Sequence, residues 1–439
     1  MSGDKIGKIG GTSSADVVQM LKSEENILRE GYRYVIPSAP GKRFPGDDKM
    51  TDLLRSLRTV DNRRPYKENF QEIKSRLSDI VCGLGLSLDL QPYFDEIERA
   101  AHQPNMDFLV SRGEYIIGNI WAERLGFEFT DPVRFMRFSK SGVFNLEATE
   151  RAWKRLKLDP SAKGFVVGGY YGADSRGEIK VFSRGGSDAS GAVVAYLVDA
   201  QTYDNWTDVD GVCLADPRVL GKDFSPQPVP RNCMTFSEVL EAAYRGNEVL
   251  HQDVIPILRK KRIPVLIRNT NNPSASGTFI VPDDRCPRRN PGEVVCITGR
   301  RDVVSFVVQK DLMSLDIGYQ EKVMRVLRRH KVNVLHTPGG NESITFVMNG
   351  ERLSSKLEEV MDDINRLCKP DKIIQNPRRA TICIVGRLIP YSRVHAALEK
   401  AKIHPRFIDK GDEDLSCNIG VDNNQYEDAI RALYAEFAH

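Results

Sequence analysis

Apolar positions recur at helical spacing through the first third of the chain and at strand spacing through much of the rest. Val17, Val18, Leu21, Ile27 and Leu28 mark an amphipathic helix, for which Ser13 or Ser14 is the expected cap. Leu53, Leu54 and Leu57, then Phe70, Ile73, Leu77 and Ile80, then Leu90, Tyr93, Phe94 and Ile97 predict helices across 52–105. Another helix opens at Ser111-Arg112-Gly113-Glu114 and carries Ile120, Trp121 and Leu125. Strands are predicted over 32–36, on both sides of the turn Asp174-Ser175-Arg176-Gly177, over 195–198 and over 264–268. Thr235-Phe236-Ser237-Glu238 is a capping box, and its helix stops at Gly246. This alternation predicts an α/β domain with a mainly parallel central sheet over 1–282.

The pattern then changes. Residues 283–298 are charged and proline-bearing and read as a linker. After it come two weakly similar βαββα modules, 299–370 and 376–439. The first has strands at 303–308, 332–335 and 343–348 and helices at 320–329 and 353–367. The second has strands at 380–385, 404–408 and 414–421 and helices at 392–401 and 424–437. Each predicts a small ferredoxin-like unit, the second shortened.

Composition narrows the class. Hydrophobic residues make up 41% and charged residues 28%, as in an ordinary globular protein. Net charge is +3, so no whole-molecule field argues for nucleic acid or membrane partners. No apolar run is long enough to span a bilayer, and Met1-Ser2-Gly3-Asp4-Lys5 lacks the apolar core of a secretory signal. Eight cysteines without a CxxC pair predict reduced thiols and a cytoplasmic setting. The seven histidines form no HxxxH pattern, so no protein-ligated metal is expected.

The chemistry concentrates at glycine turns. In Ser183-Arg184-Gly185-Gly186-Ser187-Asp188 a strand runs through two glycines into an apolar helix, a geometry that offers backbone N–H groups to an anion. An arginine before the glycines and a carboxylate after them suggest an acidic substrate beside a nucleotide. Lys8-Ile9-Gly10-Gly11 forms a second phosphate-compatible turn. The polar segment 38–51 beside it reads as a lid.

Taken in order, these motifs resemble the aspartate kinases of the amino-acid-kinase superfamily. The marks are Lys8-Ile9-Gly10-Gly11-Thr12-Ser13, Ser38-Ala39-Pro40-Gly41 with Thr51-Asp52-Leu53-Leu54, Ser111–Glu114, and Ser183–Asp188. They continue with Trp206-Thr207-Asp208-Val209-Asp210-Gly211 and Ala215-Asp216-Pro217-Arg218, Val249-Leu250-His251, and Asn269-Thr270-Asn271-Asn272-Pro273. The resemblance implies transfer of the γ-phosphoryl group of ATP to the side-chain carboxylate of L-aspartate, with Mg²⁺ carried by the nucleotide. It makes Lys8 and Asp188 the catalytic pair. It gives the aspartate to Ser38, Thr51, Glu114, Arg184 and Ser187. It gives the ATP to Gly10, Gly11, Ser13, Gly186, Thr207, Asp208, Cys213, Arg218, Glu248 and Val249.

The two C-terminal modules would be ACT domains holding a feedback amino acid, lysine or threonine, through Met313, Asp316, Gly318, Tyr319 and Val334. They would also pair the chains as a homodimer or tetramer. Departures from the family pattern are informative. The approach to Lys8, Gly3-Asp4-Lys5-Ile6-Gly7, is polar and glycine-bearing, which predicts a looser anchor for the lysine. Glu248 stands where relatives carry a lysine, Cys213 replaces a larger side chain, and Leu335 stands where lysine-binding relatives put an acid. These changes motivate two alternatives: a specialised paralogue acting on an aspartate analogue, or a non-catalytic amino-acid sensor.

Overall fold

The computed structural model describes residues 4–58, 65–182, 185–247, 249–337, 339–350, 356–410 and 414–438. The chain runs β1 (Lys5–Ile9), α1 (Val17–Glu30), β2 (Tyr34–Pro37), α2 (Met50–Ser56), α3 (Tyr66–Gly83), α4 (Gln91–Ala101), α5 (Met106–Leu125) and β3 (Glu128–Thr130). It continues with α6 (Leu146–Arg155), β4 (Phe165–Val167), the hairpin β5 (Tyr171–Ala173) and β6 (Ile179–Val181), α7 (Gly186–Leu197), β7 (Thr202–Thr207) and α8 (Pro217–Leu220). Then come β8 (Cys233–Thr235), α9 (Phe236–Arg245), α10 (Val254–Arg259), β9 (Val265–Asn269) and β10 (Thr278–Val281).

Two compact units divide the chain. The first comprises Met1–Val212, Pro230–Ala243 and Glu248–Pro287. Its eight-stranded sheet has the order β3-β4-β2-β1-β7-β9-β10-β8. All neighbours are parallel except β9 and β10. Parallel strands need crossover helices, and α1, α5 and α7 supply apolar faces to cover them. Ile73, Leu77, Ile97, Ile117, Ile120 and Trp121 build one core from α3, α4 and α5.

β1 lies between β2 and β7, paired with β7 along its whole length and with β2 from Ile6 to Ile9. Its glycine is a packing requirement: a Cβ on Gly7 would stand 2.5 Å from the Tyr32 ring. The Tyr32 hydroxyl donates to Asp204 at 2.6 Å and accepts from Trp206 Nε1 at 2.9 Å. The looser anchor expected for Lys8 is therefore corrected: Ile6 and Gly7, just before it, are buried in the sheet, while Gly3 lies outside the described residues.

Three other local expectations are corrected. The cap of α1 is Asp16, whose carboxylate accepts from Gln19 N at 2.9 Å, while Ser13 and Ser14 lie buried in a 3₁₀ turn. Residues 195–198 are not a strand: α7 runs to Leu197, and its all-round apolar composition reflects burial on every side. Segment 38–51 is tied down. Arg43 bonds Asp47 and Glu72, and buried Arg76 donates to Asp48 O at 2.7 Å and Gly41 O at 2.6 Å. The capping box forms as expected, with Thr235 N bonded to Glu238 and Glu238 N bonded to Thr235 Oγ1.

The cysteines also depart from expectation. Cys233 and Cys286 form a disulfide, Cα–Cα 6.3 Å, while Cys82, Cys213, Cys296, Cys368, Cys383 and Cys417 are in none. Cys233 sits on the edge strand β8 and Cys286 just beyond β10, neighbours that a spacing of 53 residues conceals. Thiol titration of the denatured protein should count six thiols before reduction and eight after; eight from the start would refute the pair.

The second unit comprises Cys213–Val229, Tyr244–Asn247 and Arg288–His439. It holds β11 (Val294–Gln309), α11 (Tyr319–Arg329), β12 (Val334–His336), β13 (Ser343–Asn349), α12 (Leu357–Cys368) and β14 (Lys372–Gln375). β15 (Arg379–Gly386), α13 (Tyr391–Lys400), β16 (Phe407–Lys410), β17 (Ser416–Asp422) and α14 (Tyr426–Phe437) complete it. β11 is the shared strand. Its second half pairs with β13 and β14, and its first half pairs with β15. One seven-stranded sheet results, in which β12-β13-β11-β14 and β11-β15-β17-β16 form two ferredoxin-like halves that share β11. The module that reads as short in sequence takes its fourth strand from Val294–Arg300, inside the segment read partly as a linker.

Candidate active site

The parallel strands of the first unit end together at Ile9, Pro37, Thr207 and Asn269, and ligands of open α/β sheets bind beyond such ends. Lys8, on β1, is 8% exposed, and its Nζ lies 2.6 Å from Asp188 Oδ1. Asp188 sits in the first turn of α7, after Gly185 in the left-handed region at φ 80°. Asn205 Nδ2 donates weakly to the same carboxylate at 3.4 Å, and the Tyr203 hydroxyl donates to Asp188 O at 3.1 Å. Asn205 Oδ1 is buried with no partner among the described residues. The cation–carboxylate pair is thus held from β1, β7 and α7 at once.

Glu114 projects from α5 and is buried. Its Oε1 accepts from Ala39 N at 3.2 Å, and its Oε2 has no hydrogen bond among the described residues. Burial pushes its pKa up to about 8, against the opposing pull of the Ala39 N–H, Ser187 and Lys8. A buried carboxylate with an orphaned oxygen calls for a cation or an ammonium.

Ser38, on the strand-end loop, bonds Ile9 O through its N–H at 2.9 Å, and Thr51 starts α2 beside Met50, whose N–H bonds Pro40 O. Ser187 and Gly186 form the first turn of α7. The turn Gly10-Gly11 is clamped: Gly10 N bonds Trp206 O, and Gly41 N bonds Gly11 O at 2.7 Å. Ser13 is buried, with its hydroxyl committed to Thr270 Oγ1 at 2.7 Å. Thr207 and Asp208 follow β7, and Thr270 N bonds Thr207 O. Asn269 and Asn272 both donate to Asp210 Oδ1, at 2.7 and 3.2 Å. Val249 belongs to the same unit, whereas Cys213 and Arg218 belong to the second. Arg184 and Glu248 lie outside the described residues. The proposed effector residues also lie in the second unit: Met313, Asp316, Gly318 and Tyr319 around the start of α11, and Val334 on β12.

Tyr170 is the residue that the motifs miss. It holds φ 77°, its N–H donates to Ser190 Oγ at 2.9 Å, and its hydroxyl pKa is pushed up to about 12 by burial, with Glu114 adding to the shift. Only the preceding Gly168-Gly169 pair marked a special turn there.

Gly41 tests the clamp. A Cβ there would stand 2.6 Å from Gly11 C and 2.7 Å from Thr12 N, backbone atoms with nowhere to go. Gly41→Ala should cost roughly 1–3 kcal/mol by overpacking and raise the KM for the nucleotide; thermal melting and steady-state kinetics measure both. An unchanged enzyme would mean that the turn tolerates displacement.

Among the described residues, no group of three or more His, Cys, Asp or Glu side chains is arranged to hold a metal. A buried lysine, a clamped glycine turn and a helix N-terminus form a donor set suited to a polyphosphate, with the buried carboxylate of Glu114 in the same unit.

These features are those a phosphoryl-transfer site would need. The family model of the amino acid kinases matches residues 8–269, and the chain belongs to that family. Within it the chain belongs with the aspartate kinases: it is 32% identical to the enzyme of Clostridium acetobutylicum, covering 99% of this chain and all of that one at a TM-score of 0.83. It is also 27% identical to aspartokinase 3 of Bacillus subtilis over 99% of this chain and 98% of the relative. Aspartokinase III of Escherichia coli, solved with aspartate and ADP, shares the fold at a TM-score of 0.84 and 22% identity.

Proposed function

We propose that the chain transfers the γ-phosphoryl group of ATP to the side-chain carboxylate of L-aspartate, giving 4-phospho-L-aspartate. The observation that carries this reading is the Lys8–Asp188 pair at 2.6 Å in the same site as the buried, half-satisfied carboxylate of Glu114. A carboxylate acceptor is already a nucleophile, so the site needs no general base. It needs alignment, and positive charge on the migrating group.

Lys8 supplies that charge, and Asp188 holds its ammonium at the end of β1. The N–H groups of Gly10, Gly11 and Gly186 would hold the phosphates, and Mg²⁺ would arrive with the nucleotide and neutralise the developing charge. Glu114 takes the α-ammonium of the substrate, with Ser38, Thr51 and Ser187 as hydrogen-bonding partners. Arg184, by its motif, takes the α-carboxylate as a planar fork.

The E. coli relative with aspartate and ADP and the C. acetobutylicum enzyme, described as allosteric, support this assignment and a regulatory role for the second unit. That role includes feedback by lysine or threonine and assembly of dimers or tetramers through the ACT-like modules. No helix among the described residues is long and apolar enough to cross a membrane. A cytoplasmic setting accords with this, and the thiol count bears on it because a reducing compartment opens disulfides. ADP release, followed with a panel of amino acids, tests the reading. L-Aspartate should give the highest kcat/KM; a better non-aspartate substrate would demote it to a paralogue, and no turnover with any acceptor would make the chain a sensor.

A further inference from the structure

The sheet of the second unit buries Phe306, Phe346, Ile382, Ile384 and Ile419 among α11, α12, α13 and α14. Alternate positions on each strand face the other way. Register puts Arg300 opposite Thr381, Phe407 opposite Gly420, and Asp409 opposite Asn418 on that opposite face. Tyr244–Asn247, part of the same compact unit, lies against it: Arg245 donates to Leu335 O at 3.4 Å, and a Cβ on Gly246 would meet Gly299 O. Between this segment and the strands is a pocket whose polar lining is Arg245, Arg300, His336, Thr381 and Asn418.

Two of these groups are unspent. The Asn418 side chain is buried, 4% exposed, and its Nδ2 has no hydrogen-bond partner among the described residues. The half-buried Arg300 guanidinium forms no hydrogen bond or ion pair among them. His336, by contrast, is paired with Asp409 at 2.8 Å. The pocket has a built wall: the Phe407 ring lies against Gly420, where a Cβ would come within 2.3 Å of it. Native folds leave few buried amides unbonded, and an arginine beside such an amide on an aromatic wall is a donor set for oxygen acceptors carrying negative charge.

We propose that this pocket binds a compact oxyanion, a small carboxylate or phosphate, with Arg300 and Asn418 as its donors. Neither donor is among the residues assigned to aspartate, ATP or the feedback amino acid, although Leu335, next to Val334 on β12, lines the same pocket. Isothermal titration of the full-length protein with inorganic phosphate, acetate and pyruvate tests it. Saturable binding of at least one anion is expected. Arg300→Gln and Asn418→Leu should each weaken it at least tenfold, as loss of a charge-assisted or buried hydrogen bond implies. Both variants should keep the melting temperature and the basal ATP-dependent turnover. A response to phosphate alone, or to carboxylates alone, identifies the source within the class. No saturable binding, or binding that both variants leave intact, overturns the proposal; Asn418→Leu carries the test if Arg300→Gln fails to fold.

Discussion

Replacing Lys8 by alanine should lower kcat by roughly 10²–10³-fold, the cost of removing one preorganised donor from a developing charge, and change the KM for aspartate little. Lys8 is buried on the central strand of the first unit and bonded to Asp188 at 2.6 Å. Its charge therefore needs little reorganisation when the phosphoryl group migrates, and its benefit falls on the transition state more than on the ground state. Asp188→Asn should lower kcat less, because an asparagine there keeps a side-chain oxygen to accept from the Lys8 ammonium while losing only its charge. Steady-state kinetics on both variants reads the split. A Lys8→Ala enzyme with raised KM and intact kcat would assign the lysine to binding alone.

The second large effect is a pH dependence centred on Glu114. Burial raises its pKa to about 8, so below that pH the carboxyl of the free enzyme is mostly neutral and cannot hold an ammonium. The kcat/KM for aspartate should therefore climb with pH up to about 8 and then level. Glu114→Gln should remove this climb and lower kcat/KM by roughly 30-fold or more, as loss of one partner of a buried charge pair does.

The stability effect has the opposite sign. A carboxyl whose folded pKa is raised favours the fold while protonated, and that contribution disappears as pH rises from the ordinary carboxylate range to about 8. Glu114→Gln should thus melt higher than the parent above pH 8. A flat kcat/KM profile in the parent enzyme would place the substrate ammonium elsewhere.

Much of this molecule was legible in the chain because local signals and tertiary structure agree. The periodicity of Phe70, Ile73, Leu77 and Ile80 matches the buried face of α3, and the Thr235–Glu238 box caps α9. The glycine turns of Lys8 and Asp188 were visible as motifs, and the sheet brings them within 2.6 Å of each other.

What stayed hidden depends on contacts between distant residues. Gly7 looks like a weak point until the Tyr32 ring is seen against it. Residues 195–198 mimic a strand because a helix buried on all sides loses its amphipathic period. The loop at 38–51 looks like a lid because its anchors, Glu72 and Arg76, lie a helix away. Val294–Thr298 looks like linker because its partner β15 comes after an intervening module. Tyr170 carries no motif of its own, only a strained turn.

Trapping the product with hydroxylamine tests the central claim most directly. With L-aspartate, ATP and Mg²⁺, the parent protein should form aspartyl hydroxamate, and the Lys8→Ala variant should form almost none in the same time. Equal hydroxamate from both proteins, or none from the parent with any amino acid, would contradict an acyl-phosphate-forming site built on Lys8, Asp188 and Glu114.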